Sequence, residues 1–248
     1  MSDHNVAANS SRTARVARAL GIVSIAIALA GILGVRLGLL DPLGAFGLFA
    51  LGAVAGGVST TLLGVVSLLL TRGGSDLLGR ARAWQASAIG AVLVASVLVA
   101  GAPGRGAPSI NDITTDLDDP PGFEAAILLP ENRGRDMAYP EEFVSIVRDA
   151  YPDLDSIELH ASADEAYAQA LGAARALGWE ITQESPAIGV FEARATTPIF
   201  RFVDDVAVRV RPGAEGAVVD VRSKSRDGRG DLGANATRIR AFTTALPR

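Results

Sequence analysis

The chain has 248 residues, 49% of them apolar, with a mean hydropathy of +0.29, no cysteine and a formal net charge of −4. A soluble protein in which 20% of residues are charged is rarely so hydrophobic, so the apolar residues must be concentrated in one part. The missing cysteine excludes disulfides, thiolate nucleophiles and Cys-ligated metals.

Residues 1–106 hold 8 Arg and 3 acids, whereas the remaining 142 hold 15 basic and 24 acidic residues. A membrane part therefore precedes an acidic soluble part, and that acidity argues against a nucleic-acid partner, whose phosphates need a basic footprint. Residues 1–18 read as a basic cytoplasmic arm and 19–101 as a membrane domain. The spans expected there are about 19–40, 42–70 and 84–101, since ~20 uncharged apolar residues cross the hydrocarbon core as a helix. The second uncharged run, Pro42–Leu70, is long for a ~30 Å core and must tilt, kink or leave an end in the interface. Within it Gly52 and Gly56 form a small-xxx-small face that permits close helix contact, in a region rich in Gly and Ala throughout. The first span competes with a signal-peptide reading, because Arg12, Arg15 and Arg18 precede it; the two further spans and the lack of a cleavage site favour an uncleaved anchor.

Arg and Lys in short loops stay in the cytoplasm. Three Arg precede the first span and three lie in 71–83, against Arg36 alone in the first loop and Arg105 alone after the third span. The expected arrangement is a multi-pass protein of a bacterial cytoplasmic membrane, with its amino terminus inside and its carboxy-terminal domain outside the cytoplasm. The lipid bilayer is then a partner.

Residues 102–108, rich in Gly and Pro, form a linker, and 109–248 a soluble α+β domain. Asn111, Asp112, Asp116, Asp118 and Asp119 could offer oxygen ligands to Ca²⁺, but the EF-hand order is missing, and a solvated extended segment is the simpler reading. Pro140 can open a helix whose apolar face is Phe143, Ile146, Val147 and Ala150, ended by Pro152. Ser162 and Glu165 form a capping box for a second helix, striped from Ala166 to Leu177 and stopped by Gly178. Four strands follow: Trp179–Gln183, Ile188–Thr196, Phe200–Arg211 and Ala217–Ser223. Phe200, Phe202, Val206, Val208 and Val210 should share one face with Val219 and Val221, giving an antiparallel sheet with one covered face. A last helix, capped by Asp231 or Asn235, carries Leu232, Ala236, Ile239, Phe242 and Leu246 on the side that should lie on the sheet. The fold class is thus three transmembrane helices followed by a two-layer α+β domain.

Asp204 falls on the apolar face by strict alternation, where a lone carboxylate is expensive to bury. A bulge, an ion pair with a basic residue of 222–229, or a functional carboxylate would each account for it. His4 and His160 are isolated, so no His-based metal site follows, and no nucleophile elbow, P-loop or dinucleotide fingerprint occurs. No metal and no cofactor are expected.

One loop is dense in polar groups. Arg222, Ser223, Ser225, Arg226, Arg229, Asp231 and Asn235, with Lys224 and glycine N–H groups ahead of a helix start, could hold an anionic small molecule or meet an envelope protein. Residues 193–248 carry 11 basic and 6 acidic residues, and 107–192 carry 4 and 18, so the basic segment can equally dock on the acidic one within the molecule. Arg229-Gly230-Asp231 matches an integrin ligand by letters only.

The runs FRFVDDVAVRVRP (Phe200–Pro212), VDVRSKSRDGRGDLGANATRIRAF (Val219–Phe242) and LGWEI (Leu177–Ile181), with Asp119-Pro120-Pro121 and Ala138–Pro140, resemble the domain-of-unknown-function family 1499 over roughly 110–246. That resemblance implies a bacterial envelope-type protein, sometimes with amino-terminal spans, and brings no established activity or catalytic residues. Two readings follow. The first is a membrane-anchored, extracytoplasmic, non-enzymatic binding or scaffold module with the 222–231 loop as its surface. The second is a small hydrolase or transferase using Asp204 or Asp205 as base beside that loop.

Overall fold

The computed structural model describes residues 2–72 and 76–247. The chain divides into two compact units: the first runs to Ala102 and takes in Ile199–Arg201, and the second comprises Pro103–Pro198 and the chain from Phe202 onward.

Unit one is helical. Helix α1 spans Ser2–Arg36, α2 Pro42–Ala50, α3 Gly57–Leu70 and α4 Leu77–Ala100. Among the described residues three stretches are long and apolar enough to cross a membrane: Arg12–Arg36, Pro42–Leu70 and Leu77–Ala100. The third begins before the expected Trp84, so Arg80 and Arg82 lie in the first turns of α4. Asp41 and Asp76 cap α2 and α4, accepting the Gly44 N–H at 2.9 Å and the Gly79 N–H at 2.8 Å.

Between α2 and α3 the long second span passes through a π-helical segment, Leu51–Gly56. Such wide turns are the usual way an α-helix absorbs an irregularity without ending. Both glycines of the small-xxx-small pair lie in it and face α1. A Cβ on Gly52 would sit 2.5 Å from the Ser24 carbonyl oxygen and 2.6 Å from the Ala28 nitrogen, and one on Gly56 would collide with the Ser24 hydroxyl. The buried seam is built from such small residues, among them Ala17, Ala28, Ala53, Gly64, Ala86 and Gly90. Large side chains such as Leu33, Leu62 and Val92 point outward at 55%, 62% and 68% exposure. Water would penalise so much apolar surface, and lipid tails would not.

Unit two is an antiparallel sheet with helices. Its strands are β1 Asp112–Thr114, β2 Ile157–Leu159, β3 Glu180–Ser185, β4 Val190–Thr196, β5 Val203–Gly213 and β6 Gly216–Ser225; its helices are α5 Glu141–Ala150, α6 Ala163–Ala176 and α7 Ala234–Ala245. The order is β3-β4-β5-β6, and β1 and β2 lie end to end along the free edge of β6, opposite Arg222–Lys224 and Ala217–Val219 respectively. The sheet therefore has six strands rather than the four expected. The two extra ones are three residues long, too short to show a period.

One face packs against the helices. Phe191, Val206, Val208, Val219 and Val221 are fully buried there with Ala170, Ile239 and Phe242. The capping box at Ser162 and Glu165 is formed, and Pro140 immediately precedes α5. Two boundaries differ from expectation. Strand β5 starts at Val203, leaving Phe200 and Phe202 outside it. Helix α7 starts at Ala234, after Leu232 and Gly233 have taken left-handed conformations (φ 53° and 80°), so Leu232 leaves the helix stripe and is 66% exposed.

The second face is covered too, contrary to the expected single covered face. The irregular segment after β1, with short 3₁₀ turns at Ala126–Leu128 and Pro130–Asn132, lays Phe123, Ala126 and Met137 on Ala207. The acidic stretch is solvated only in part: Asp112 is fully buried, whereas Asp118 and Asp119 are exposed.

Candidate functional site

Strand alternation sorts the polar residues of β5 and β6 onto two faces. Toward the irregular segment point Asp205, Arg209, Asp220, Arg222 and Lys224; toward the helices point Asp204, Ser223 and Ser225.

On the first face Asp112 is the central acceptor. Arg222 binds it in fork fashion, Nε to Oδ1 at 3.0 Å and Nη2 to Oδ2 at 2.7 Å, and Lys224 Nζ donates to Oδ2 at 2.8 Å. The guanidinium also donates to the Pro121 and Met137 carbonyls at 3.2 and 2.9 Å, with the Phe123 and Tyr139 rings 4.8 and 5.3 Å from its carbon. A planar cation suits this slot because it can stack and fork at once. Burial, aided by the Asp112 charge and opposed by Arg222, pushes the Tyr139 phenol well above its ordinary pKa, and among the described residues its hydroxyl has no hydrogen-bond partner.

Alongside, Asp205 accepts Arg226 Nε at 2.9 Å and Nη2 at 2.6 Å, and the Asn132 amide at 2.9 Å. The Arg226 guanidinium is raised above its ordinary pKa, first by its hydrogen bond to Asp205. Glu192, 1% exposed, accepts three successive backbone N–H groups from Glu124, Ala125 and Ala126 at 2.5, 2.7 and 2.8 Å, tying the covering segment to the sheet. Farther along, Asp220 accepts Arg209 and Arg211 at 3.2 and 3.0 Å and the Ser156 hydroxyl at 2.5 Å.

On the helix face Asn235 gathers the serines. Its Oδ1 accepts Ser223 at 2.7 Å and Arg238 at 2.6 Å, and its Nδ2 donates to Ser225 Oγ at 3.0 Å. Arg238 also pairs with Asp204. Asp204 thus keeps its place on the apolar face, and its partner comes from α7 rather than from the 222–229 segment, which supplies Arg226 to the neighbouring Asp205 instead.

Asp231 organises the start of α7 from two residues upstream of Gly233, accepting the Gly233 and Asn235 N–H groups at 2.8 Å each. Burial outweighs those two bonds and raises its carboxyl above the ordinary range. The connecting loop is fastened at its base: the Asn111 amide donates to the Gly228 carbonyl at 2.8 Å, and the Asp231 N–H to the Ile110 carbonyl at 3.1 Å. Gly228, Arg229 and Gly230 stand exposed at its tip.

The structure therefore splits the sequence-nominated residues. Arg222, Ser223, Ser225 and Asn235 are buried and mutually bonded with neighbours, Arg226 and Asp231 hold the loop base, and Arg229 alone of the set projects into solvent. Both carboxylates considered as catalytic bases, Asp204 and Asp205, are 2% exposed and engaged by arginines. Chain reading missed Asn132, Glu192 and Arg238 and weighed Asp112 only as one acid of a Ca²⁺-type cluster; each of the four has a partner remote in sequence. The only foreshadowing was the opposite charge of the 107–192 and 193–248 segments. Among the described residues no group of three or more His, Asp or Glu side chains is placed to hold a metal.

No curated protein matches the chain. A family described as "Protein of unknown function (DUF1499)" matches residues 112–246, from the first strand of unit two to the end of its last helix. With more than half its length matched, the chain belongs to the DUF1499 family.

Proposed function

We propose that the protein is a membrane-anchored, extracytoplasmic and non-enzymatic binding or scaffold module of a bacterial envelope, which presents the Asp227–Leu232 loop to an anionic group on a small molecule or envelope protein. One observation carries this reading. The cations on either side of the loop are consumed in buried pairs with Asp112, Asp205 and Asp204, which fixes the loop base, while Arg229 and Leu232 extend from it into solvent. A charged and an apolar side chain on a braced loop suit recognition, because little freedom is lost on binding. The Arg distribution around the spans supports the extracytoplasmic placement.

A photo-activatable crosslinker at position 232, which leaves Arg229 in place, tests this in living cells. An adduct is expected that is absent when the crosslinker replaces the exposed Glu215, at the opposite end of β6, and that weakens at least severalfold when Arg229 is also changed to Ala. Equal labelling from both positions would sink the loop as a contact surface.

A further inference from the structure

The helical unit carries a second feature, independent of the loop. Arg15, Arg18, Ala19 and Ile22 of α1 and Arg82 of α4 line an open groove of ≈ 260 Å³. The α1 residues recur at intervals of three and four, so they form one stripe of the helix. Arg18 is exposed and Arg82 half-buried. The uncharged run begins at Ala19, placing the guanidinium groups at its polar edge, and Ile22, one turn past Arg18 and ~6 Å deeper along the axis, is 52% exposed.

A cationic rim above an apolar floor matches a ligand that is anionic at one end and hydrocarbon at the other. We infer that this groove binds one anionic glycerophospholipid, its phosphate between Arg18 and Arg82 and the beginning of an acyl chain against Ala19 and Ile22. Guanidinium groups form forked bonds to phosphate oxygens, and basic pockets between membrane helices take anionic head groups. A free phosphate would use the rim and leave the apolar floor uncovered, whereas the lipid uses both.

The test is native mass spectrometry of the full chain in mixed micelles with phosphatidylglycerol or phosphatidylcholine. One phosphatidylglycerol should be retained in preference to phosphatidylcholine, and Arg18→Ala/Arg82→Ala should reduce that preference about tenfold. Arg72→Ala/Arg80→Ala removes the same charge outside the groove and should leave it unchanged. Arg18→Lys/Arg82→Lys, which keeps charge without the fork, should fall between. Should the alanine pair melt early, Arg18→Ala alone, at an exposed position, is read in its place and should lower retention about threefold. Unchanged retention in the groove variants, or an equal loss in the Arg72/Arg80 pair, would overturn the site. Displacement of the lipid by millimolar inorganic phosphate would overturn the lipid assignment in favour of a small-anion site.

Discussion

Asp112 balances two buried cations, which makes it the most consequential single side chain of unit two. Removing it leaves Arg222 and Lys224 facing each other without a counter-charge in a site closed to water, and breaking a buried pair in that way costs ~3–5 kcal/mol. Asp112→Ala should therefore lower the unfolding midpoint of the detergent-solubilised chain far more than Lys224→Ala, after which the Arg222 fork to Asp112 survives; equal losses would show that the fork does not dominate. Asp231 gives a smaller and pH-dependent signal. Losing both of its capping bonds in Asp231→Ala should cost ~0.5–2 kcal/mol. Because its folded pKa is raised, proton binding favours the fold: the contribution is fully present below the ordinary carboxylate pKa and is lost as pH rises through the raised value. Across that window wild-type stability should fall with pH relative to Asp231→Asn, and parallel curves in pH-resolved melts would refute the raised pKa. None of this burial was visible along the chain. Asp112 sits among acids that read as a solvated run, and the arginine that neutralises it lies 110 residues away.

Elements were legible where their information is local. The Ser162/Glu165 box and the stripe it opens announce α6 within fifteen residues, and the long alternating strands β5 and β6 announce themselves by period. Elements defined by a distant partner were not: β1 and β2 exist because β6 offers them an edge, and the left-handed Leu232 and Gly233 delay α7 past the residue its stripe pointed to. In unit one, length alone predicted an irregular second span, and the Gly52/Gly56 pair lies where the wide turn meets α1. A Cβ at Gly52 meets backbone atoms that cannot withdraw, whereas one at Gly47 meets nothing within 4 Å. Gly52→Leu should abolish the compact form of the helical unit, while Gly47→Leu should melt within a few degrees of wild type; heating the purified protein and following aggregation by size-exclusion chromatography separates the two. Similar behaviour of both variants would mean that the close α1 contact is dispensable.

At the scale of the molecule, the division into a helical unit and a sheet unit leads to two expectations. A reporter fused after Arg248 should be active only when it requires export, and activity confined to a cytoplasmic reporter would invert the proposed topology. A chain beginning near residue 107 should give a cooperative melt by circular dichroism, since the sheet and its three helices enclose their own core; an unfolded product would tie that core to the membrane helices. The edge where β1 meets β6 also sets an order of events during synthesis. Asp112 and Lys224 are 112 positions apart, and at ribosomal speeds the earlier one waits on the order of 10 s for its partner to be made. Until then the first third of the domain has no sheet to join and its acids remain hydrated, so the domain gains protease resistance late and all at once. Nascent chains stalled after Thr196 should be digested as readily as unfolded ones, while those carried past α7 resist. A premature stop anywhere before β6 thus leaves an anchored but shapeless tail, the kind of substrate that membrane quality-control proteases remove.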